Sequence, residues 1–143
     1  MRVRRGDATG RVGVALLTLI LAGCASGDGG GTRTRVPITE LKIVVGRWDG
    51  LVSGLSSRPS INEDLVDLVI KDDATYEAKA VRSIGVFQGR GTVELREGAL
   101  VLQGQRGATG TGQLFAVDGR RVLEIDATIA DGRRVRARLS PKP

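Results

Sequence analysis

The sequence predicts an all-β domain, a small antiparallel up-and-down barrel of about eight strands. From Gly46 onward, apolar residues recur at every second position, the spacing of a strand with one buried face. Turns that contain glycine interrupt this region at short intervals, and no segment of it has the 3.6-residue apolar spacing of a helix. A barrel is the simplest closure because it leaves no exposed strand edge, and an open sandwich is the alternative.

The N-terminus is typical of an export signal. Arginines precede an apolar run at 12–22, which is shorter than the roughly 20 residues that span a bilayer. The run ends in Leu21-Ala22-Gly23-Cys24, which resembles the lipobox of bacterial lipoproteins. That resemblance implies that residues 1–23 are a cleaved signal peptide and that Cys24 carries the lipid that attaches the protein to a membrane. A secretory signal followed by a stray cysteine is the alternative.

The mature chain divides into a tether and one domain. Residues 24–37 are predicted as a lipid-anchored flexible linker, because glycine, serine and threonine dominate them, and residues 38–143 as the barrel domain. Since the only cysteine is lipidated, we expect no disulfide. The lipoprotein resemblance further implies that Ala25, a residue other than an acid after the cysteine, directs the protein to the periplasmic face of the outer membrane of the bacterial envelope.

The predicted strands follow one another along the domain. They are 46–53, 64–71, 75–82, 84–90, 91–96, 99–104, 110–117, 121–129 and 133–140. The two segments at 84–96 form a single strand if the chain bends at its glycines. A helix over 61–71 is the alternative for the second strand, because Ser60-Ile61-Asn62-Glu63 matches a capping box.

Turn residues predict how the strands pair. Glu97-Gly98 and Asp118-Gly119 suit two-residue hairpin turns, while Ala130-Asp131-Gly132 and residues 72–74 suit three-residue loops. Each resulting register places apolar residues opposite one another on one face of the sheet. The other face then brings together the pairs Asp67 with Lys79, Glu124 with Arg138, and Asp126 with Arg136.

The first barrel strand opens with Gly46-Arg47-Trp48, after a short segment at 39–45 that could be helical. This start resembles the Gly-x-Trp of the lipocalins and their calycin relatives, whose up-and-down barrels often carry an apolar molecule. The resemblance implies that Trp48 packs across the closed end of the barrel, near an arginine from the last strand. Arg134, Arg136 and Arg138 are the candidates for that arginine, although the register points all three outward.

The inward face of the barrel is the candidate ligand site. Its candidate ligand-binding residues are its rings and larger aliphatic side chains: Trp48, Tyr76, Phe87, Leu114, Leu123 and Ile125. Many other inward residues are small, which either leaves room for a ligand or lets a narrow barrel close on itself. On the outward face, Phe115, Val117 and Val122 predict an exposed interaction patch, with a covering loop as the alternative.

The composition argues against catalysis and cofactors. The chain contains no histidine, and neither Gly-x-Ser-x-Gly nor Ser-x-x-Lys occurs, so we expect no enzyme activity. We expect no metal, because zinc ligands are missing and the acidic residues at 63–73 lack the spacing of a calcium loop. The glycine-rich segment 107–112 lacks the lysine of a phosphate-binding loop.

Charge gives little evidence for a nucleic-acid partner. Removal of a signal with four arginines and one aspartate lowers the formal net charge from +6 to +3. The arginines at 133–138 could contact anionic headgroups, but a solvated outer face is favoured. Two functions stay open: a lipid-anchored envelope module that binds a small apolar ligand, and an envelope protein-interaction or structural lipoprotein, including a hydrolase inhibitor, with a filled barrel.

Overall fold

The structure is a computed structural model that describes residues 31–56, 63–82 and 85–143, with only the backbone given for Arg82. The predicted signal peptide, Cys24 and the capping residues at 60–62 lie outside these ranges. Within the described ranges, no helix has the length and apolarity to cross a membrane.

Nine antiparallel strands make up most of the described chain. They are β1 (Arg33–Val36), β2 (Gly46–Ser53), β3 (Glu63–Ile70), β4 (Thr75–Arg82), β5 (Gly85–Arg96), β6 (Ala99–Gly104), β7 (Thr109–Val117), β8 (Arg120–Thr128) and β9 (Arg134–Pro141). Two short 3₁₀ turns, Leu41–Ile43 and Gln105–Gly107, precede β2 and β7.

Strands β2 to β9 form a closed eight-stranded barrel. Each strand pairs with the next along the chain, and β9 pairs with β2 to complete the circle. The predicted up-and-down barrel is therefore confirmed, and the sandwich alternative is wrong. Closure gives every strand of the barrel two partners, which leaves no long unpaired edge.

The ninth strand, β1, lies outside the barrel and pairs with the part of β7 that extends beyond β6. It pairs with the second half of β7, while β6 pairs with the first half. The linker was predicted to continue to residue 37, so the structure corrects its end: residues 33–36 are part of the sheet. Composition did not show this, because β1 is mostly exposed and its stability comes from backbone hydrogen bonds to β7.

The predicted hairpin registers are all present. Leu95 lies opposite Leu100, Leu114 opposite Leu123, Ile125 opposite Ala137, and Ile70 opposite Tyr76. Both residues of the turns at 97–98 and 118–119 have positive φ, as a type I′ turn requires. The turn chemistry of the sequence therefore specifies the strand pairing.

The alternative helix over 61–71 is wrong, because residues 63–70 form β3. Its Leu68 and Ile70 are buried inside the barrel, at the period-two spacing of a strand. The following turn places Ala74 at a φ of 62°, which usually favours glycine. The Asp73 carboxylate stabilises this turn by accepting a hydrogen bond of 2.9 Å from the Thr75 N–H.

One end of the barrel, called here the closed end, is filled by the chain that precedes β2. Ile38, Val44 and Trp48 are buried there, and the Trp48 indole donates a 2.8 Å hydrogen bond to the Val44 carbonyl. Arg121 supplies the cation: its guanidinium lies 5.8 Å from the Trp48 ring centroid and donates to the Ile43 carbonyl at 2.8 Å.

The arginine beside Trp48 therefore comes from β8, not from the last strand as the resemblance implied. The last-strand candidates Arg134, Arg136 and Arg138 are exposed on the outer face. Arg121 lies two residues before the inward-facing Leu123, so it points toward the barrel axis just beyond the closed end.

Candidate functional site

An apolar cavity of about 110 Å³ lies in the half of the barrel away from the closed end, called here the cavity half. Leu55, Ala108 and Ile129 bound it from loops at that end, and all eight barrel strands contribute side chains. The strand residues are Val52, Val66, Leu68, Tyr76, Ala78, Ala80, Phe87, Gly89, Leu102, Thr109, Gly110, Ile125, Ala127, Val135, Ala137 and Leu139. Tyr76 and Thr109 carry the only side-chain polar atoms of this described lining.

The cavity exists because several of the inward residues of this half are small. Ala78, Ala80 and Ala127 contribute one methyl group each, and Gly89 contributes none. A Cβ added at Gly89 would find its nearest neighbours, in Phe87 and Ala78, at 3.7 and 3.9 Å, which is ordinary van der Waals contact. The backbone of β5 therefore leaves room at Gly89 for a larger side chain.

The size of the cavity limits what it can hold. Pockets for drug-sized molecules measure about 300–1,000 Å³, and an apolar cavity of about 150 Å³ stays dry and binds benzene. A cavity of about 110 Å³ therefore suits a short hydrocarbon or one end of a longer chain.

The six predicted ligand-binding residues divide between the two halves of the barrel. Tyr76, Phe87 and Ile125 line the cavity. Trp48, Leu114 and Leu123 are buried in the core but do not line it. The period-two pattern identified inward side chains, whereas their height along the barrel decides which of them meet the cavity.

Sequence reasoning missed several lining residues. Val52, Leu68 and Leu102 share the inward face of their strands, so the same period-two pattern could have identified them. Leu55 and Ile129 follow the ends of β2 and β8, where strand periodicity gives no information. Both are buried, which shows that these loops fold over the end of the barrel.

Tyr76 is the one buried polar side chain of the cavity wall. Its exposed fraction is only 8%, and burial raises the pKa of its hydroxyl. The hydroxyl lies 3.0 Å from the point that a Cβ on Gly104 would occupy. Gly104 continues the inward-facing series of Leu100 and Leu102 on β6, so this hydroxyl lies on the inner side of the wall.

A row of exposed aliphatic side chains crosses the outer face near the same end. Leu51, Leu65, Val81 and Val86 lie directly opposite one another on four successive strands, β2 to β5. Their exposed fractions are 43, 67, 56 and 55%. We call these four residues the aliphatic row; cross-strand registry makes them one contiguous apolar surface of the described chain.

The predicted exposed patch at Phe115, Val117 and Val122 is largely covered. Val122 is only 6% exposed, and Phe115 and Val117 are half-buried. β1 lies beside β7, and the Arg33 guanidinium packs 4.0 Å from the centroid of the Phe115 ring. The outward direction of these side chains was right, but the N-terminal strand covers what would have been exposed.

The outer-face ion pairs differ partly from the predicted ones. Asp126 and Arg136 pair at 2.7 Å as predicted, and this hydrogen bond raises the pKa of Arg136. Glu124 instead pairs with Arg33 at 2.7 Å, and Asp67 with Lys142 at 3.1 Å. Arg138 and Lys79 were the expected partners of these two acids. The chain termini supply closer cations than the facing strands, and all these pairs are too exposed to contribute much stability.

The described residues contain no group of three His, Cys, Asp or Glu side chains placed to hold a metal ion. No protein-family model matches this chain, and no curated protein is similar to it in sequence. Function is therefore inferred from the chain's own cavity and surfaces.

Proposed function

We propose that this protein is a lipid-anchored binding module of the bacterial cell envelope that holds a small apolar ligand in its barrel. The cavity of about 110 Å³ is the observation that carries this proposal. An apolar cavity of this kind offers water too few hydrogen-bond partners and therefore favours hydrocarbon. A buried ligand gains roughly 25 cal/mol for each Å² of apolar surface that leaves water.

A ligand longer than a short hydrocarbon would insert one end only. Leu55, Ala108 and Ile129 mark the end of the barrel nearest the cavity, so the rest of such a ligand would leave there. The terminal methylenes of an acyl chain have the right shape for this binding mode.

Lipidation of Cys24 would orient the barrel relative to the membrane. β1 begins nine positions after Cys24, and a fully extended chain of that length spans about 30 Å. Thr32, just before β1, accepts a 3.2 Å hydrogen bond from the Asp118 N–H in the β7–β8 turn, beside the closed end. Because Thr32 lies beside the closed end, an anchor at Cys24 would favour an orientation with the cavity half away from the bilayer.

Mass spectrometry of the protein from a bacterial envelope tests the anchor. We expect a mature chain that begins at an acylated Cys24, and release of a Cys24→Ser variant from the membrane fraction. An unmodified N-terminus at another residue would contradict the lipoprotein proposal without affecting the cavity.

Thermal unfolding with small hydrocarbons tests ligand binding. A soluble form from Ala25 keeps every strand of the structure, and benzene or pentane should raise its unfolding midpoint by mass action. A Gly89→Leu variant should lose this response because leucine occupies the cavity. Gln88→Leu, which places the same side chain on the exposed face of β5, should respond like the parent. Equal responses of the two variants would show that the ligand binds elsewhere, and no response of the parent would overturn the proposal.

A second candidate function is supported by the aliphatic row. These four residues form a contiguous exposed apolar surface, and such surfaces mark interaction sites. The proposed partner is an envelope protein that presents an apolar surface of its own. This candidate needs no empty barrel, so the two functions predict different consequences for the same variants.

A photo-crosslinking residue placed at Leu65 in cells tests this second function. It should capture one defined envelope protein, whereas the same probe at the exposed Lys79 of β4 should not. A Val81→Lys change should then abolish capture from position 65. Capture only of a second copy of this chain would indicate self-association, and equal capture from both positions would contradict a specific surface.

A further inference from the structure

The hydroxyl of Tyr76 has no hydrogen-bond partner among the described residues. Burial alone raises its pKa, with no hydrogen bond contributing, and the described part of the chain offers this side chain no other polar interaction. Tyr76 as a whole residue is only 8% exposed. A buried hydroxyl without a partner is rare in folded proteins and unfavourable.

Packing explains the ring of Tyr76 but not its oxygen. Tyr76 lies opposite Gly91, which in turn lies opposite Gly104, so the ring crosses two positions that carry no side chain. An aromatic ring beside strand glycines fills space that would otherwise be empty. Phenylalanine would fill it equally well without burying an oxygen, so the hydroxyl needs another explanation.

The surroundings of the hydroxyl point to a neutral ligand group. It lies on the inner side of the wall, beside a cavity whose other buried side chains are hydrocarbon. None of the described lining residues is charged, so a ligand carboxylate would be buried without a counterion, which is strongly unfavourable. A phenol donates a hydrogen bond readily, so the matching ligand atom is a neutral acceptor such as a carbonyl or ester oxygen.

We infer that Tyr76 is a specificity-determining residue that donates a hydrogen bond to a carbonyl or ester oxygen on a short aliphatic ligand. This inference rests on the proposed ligand-binding function and deepens it by naming the ligand class. The acyl portion of an ester fits both requirements, since a few methylenes fill the apolar cavity while the neutral oxygen meets the hydroxyl. A free fatty acid whose carboxylate enters the cavity does not fit.

Binding of two matched probes to two proteins tests the inference. The probes are 2-pentanone and pentane, which have similar shape and differ by one acceptor oxygen, and the proteins are the form from Ala25 and its Tyr76→Phe variant. Calorimetry or ligand-observed NMR should show that Tyr76→Phe weakens the binding of 2-pentanone about five- to tenfold. The binding of pentane should be unchanged or tighter, because the variant removes an unpaired oxygen.

The outcomes separate this inference from the function on which it rests. If pentane binds and Tyr76→Phe leaves the affinity for 2-pentanone unchanged, the inference is overturned while the ligand-binding proposal stands. If neither probe binds, both are overturned. The unfolding midpoint of the ligand-free variant is a further check: it should equal or exceed that of the parent, and a clear decrease would show that the hydroxyl already has a partner in the folded protein.

Discussion

The closed end and the cavity half of this barrel share strands but differ in side-chain volume. Toward the closed end the inward positions carry Trp48, Leu100, Leu114 and Leu123, all at most 2% exposed. In the cavity half, several inward positions carry alanine or glycine, among them Ala78, Ala80 and Gly89, and a cavity of about 110 Å³ remains. One continuous period-two pattern therefore contains a filled core and an unfilled one.

The difference separates stability from function along the barrel axis. Hydrophobic burial scales with the apolar area removed from water, so leucine and tryptophan positions contribute most to folding. Alanine positions contribute little, but they leave the space that a ligand can use. The closed end should therefore tolerate substitution poorly, whereas the cavity half should accept larger side chains.

The largest expected effect on stability comes from truncating a leucine toward the closed end. Leu114→Ala should lower the free energy of unfolding by about 2–5 kcal/mol, because the side chain is fully buried and a new cavity forms. Ile125→Ala, in the wall of the existing cavity, should lie at the lower end of that range because fewer contacts are lost. Urea unfolding measures both, and equal losses would contradict the contrast between the halves.

The next effect in size is at Arg121. Arg121→Ala removes the cation beside the Trp48 ring and the hydrogen bond to the Ile43 carbonyl, so unfolding should become easier by about 1 kcal/mol. Trp48 is the only tryptophan, so its fluorescence reports the change directly. The neighbouring exposed Arg120 is the matched control, and its alanine variant should leave both the stability and the emission unchanged.

The sequence predicted the barrel well because local signals specified it redundantly. Turn residues such as Asp118-Gly119 and Ala130-Asp131-Gly132 determined the pairing, and period two determined which side chains face inward. Ala74 has a positive φ, which usually favours glycine, and the Asp73 carboxylate stabilises its turn.

Features that depend on distant parts of the chain could not be predicted in this way. β1 pairs with β7 through backbone groups, which leave no side-chain pattern in the sequence. Because this pairing was not predicted, neither were the covering of Phe115 by Arg33 and the ion pair of Arg33 with Glu124. The cavity likewise depends on the height of each inward residue along the barrel, which period two does not give. The aliphatic row was missed because its members looked like ordinary strand residues until the registers placed them side by side.

A smaller effect, of opposite sign, is expected at Gly89. Gly89→Ala should raise the free energy of unfolding by about 0.5–1 kcal/mol, because alanine restricts the unfolded chain and its methyl group has room in the cavity. The same experiment on the exposed Gln88 of β5 serves as a control, with a change near zero for Gln88→Ala. Destabilisation by Gly89→Ala would indicate that the cavity half is as tightly packed as the closed end.

The smallest effect is confined to alkaline pH and concerns the polar group of the cavity wall. Burial raises the pKa of Tyr76 above its ordinary value of about 10, so the folded protein holds this proton at a pH where the unfolded chain releases it. The contribution of Tyr76 to stability is therefore complete below pH 10 and is lost as the pH rises through the folded-state pKa.

Because Tyr76 is the only tyrosine, absorbance of the phenolate reports it alone. Its titration midpoint should exceed 10, and the Tyr76→Phe variant should lose stability less steeply than the parent above that pH. A titration midpoint at or below the ordinary value would show that water reaches the hydroxyl. The wall of the cavity at Tyr76 would then be hydrated, which would contradict a dry apolar cavity in this half of the barrel.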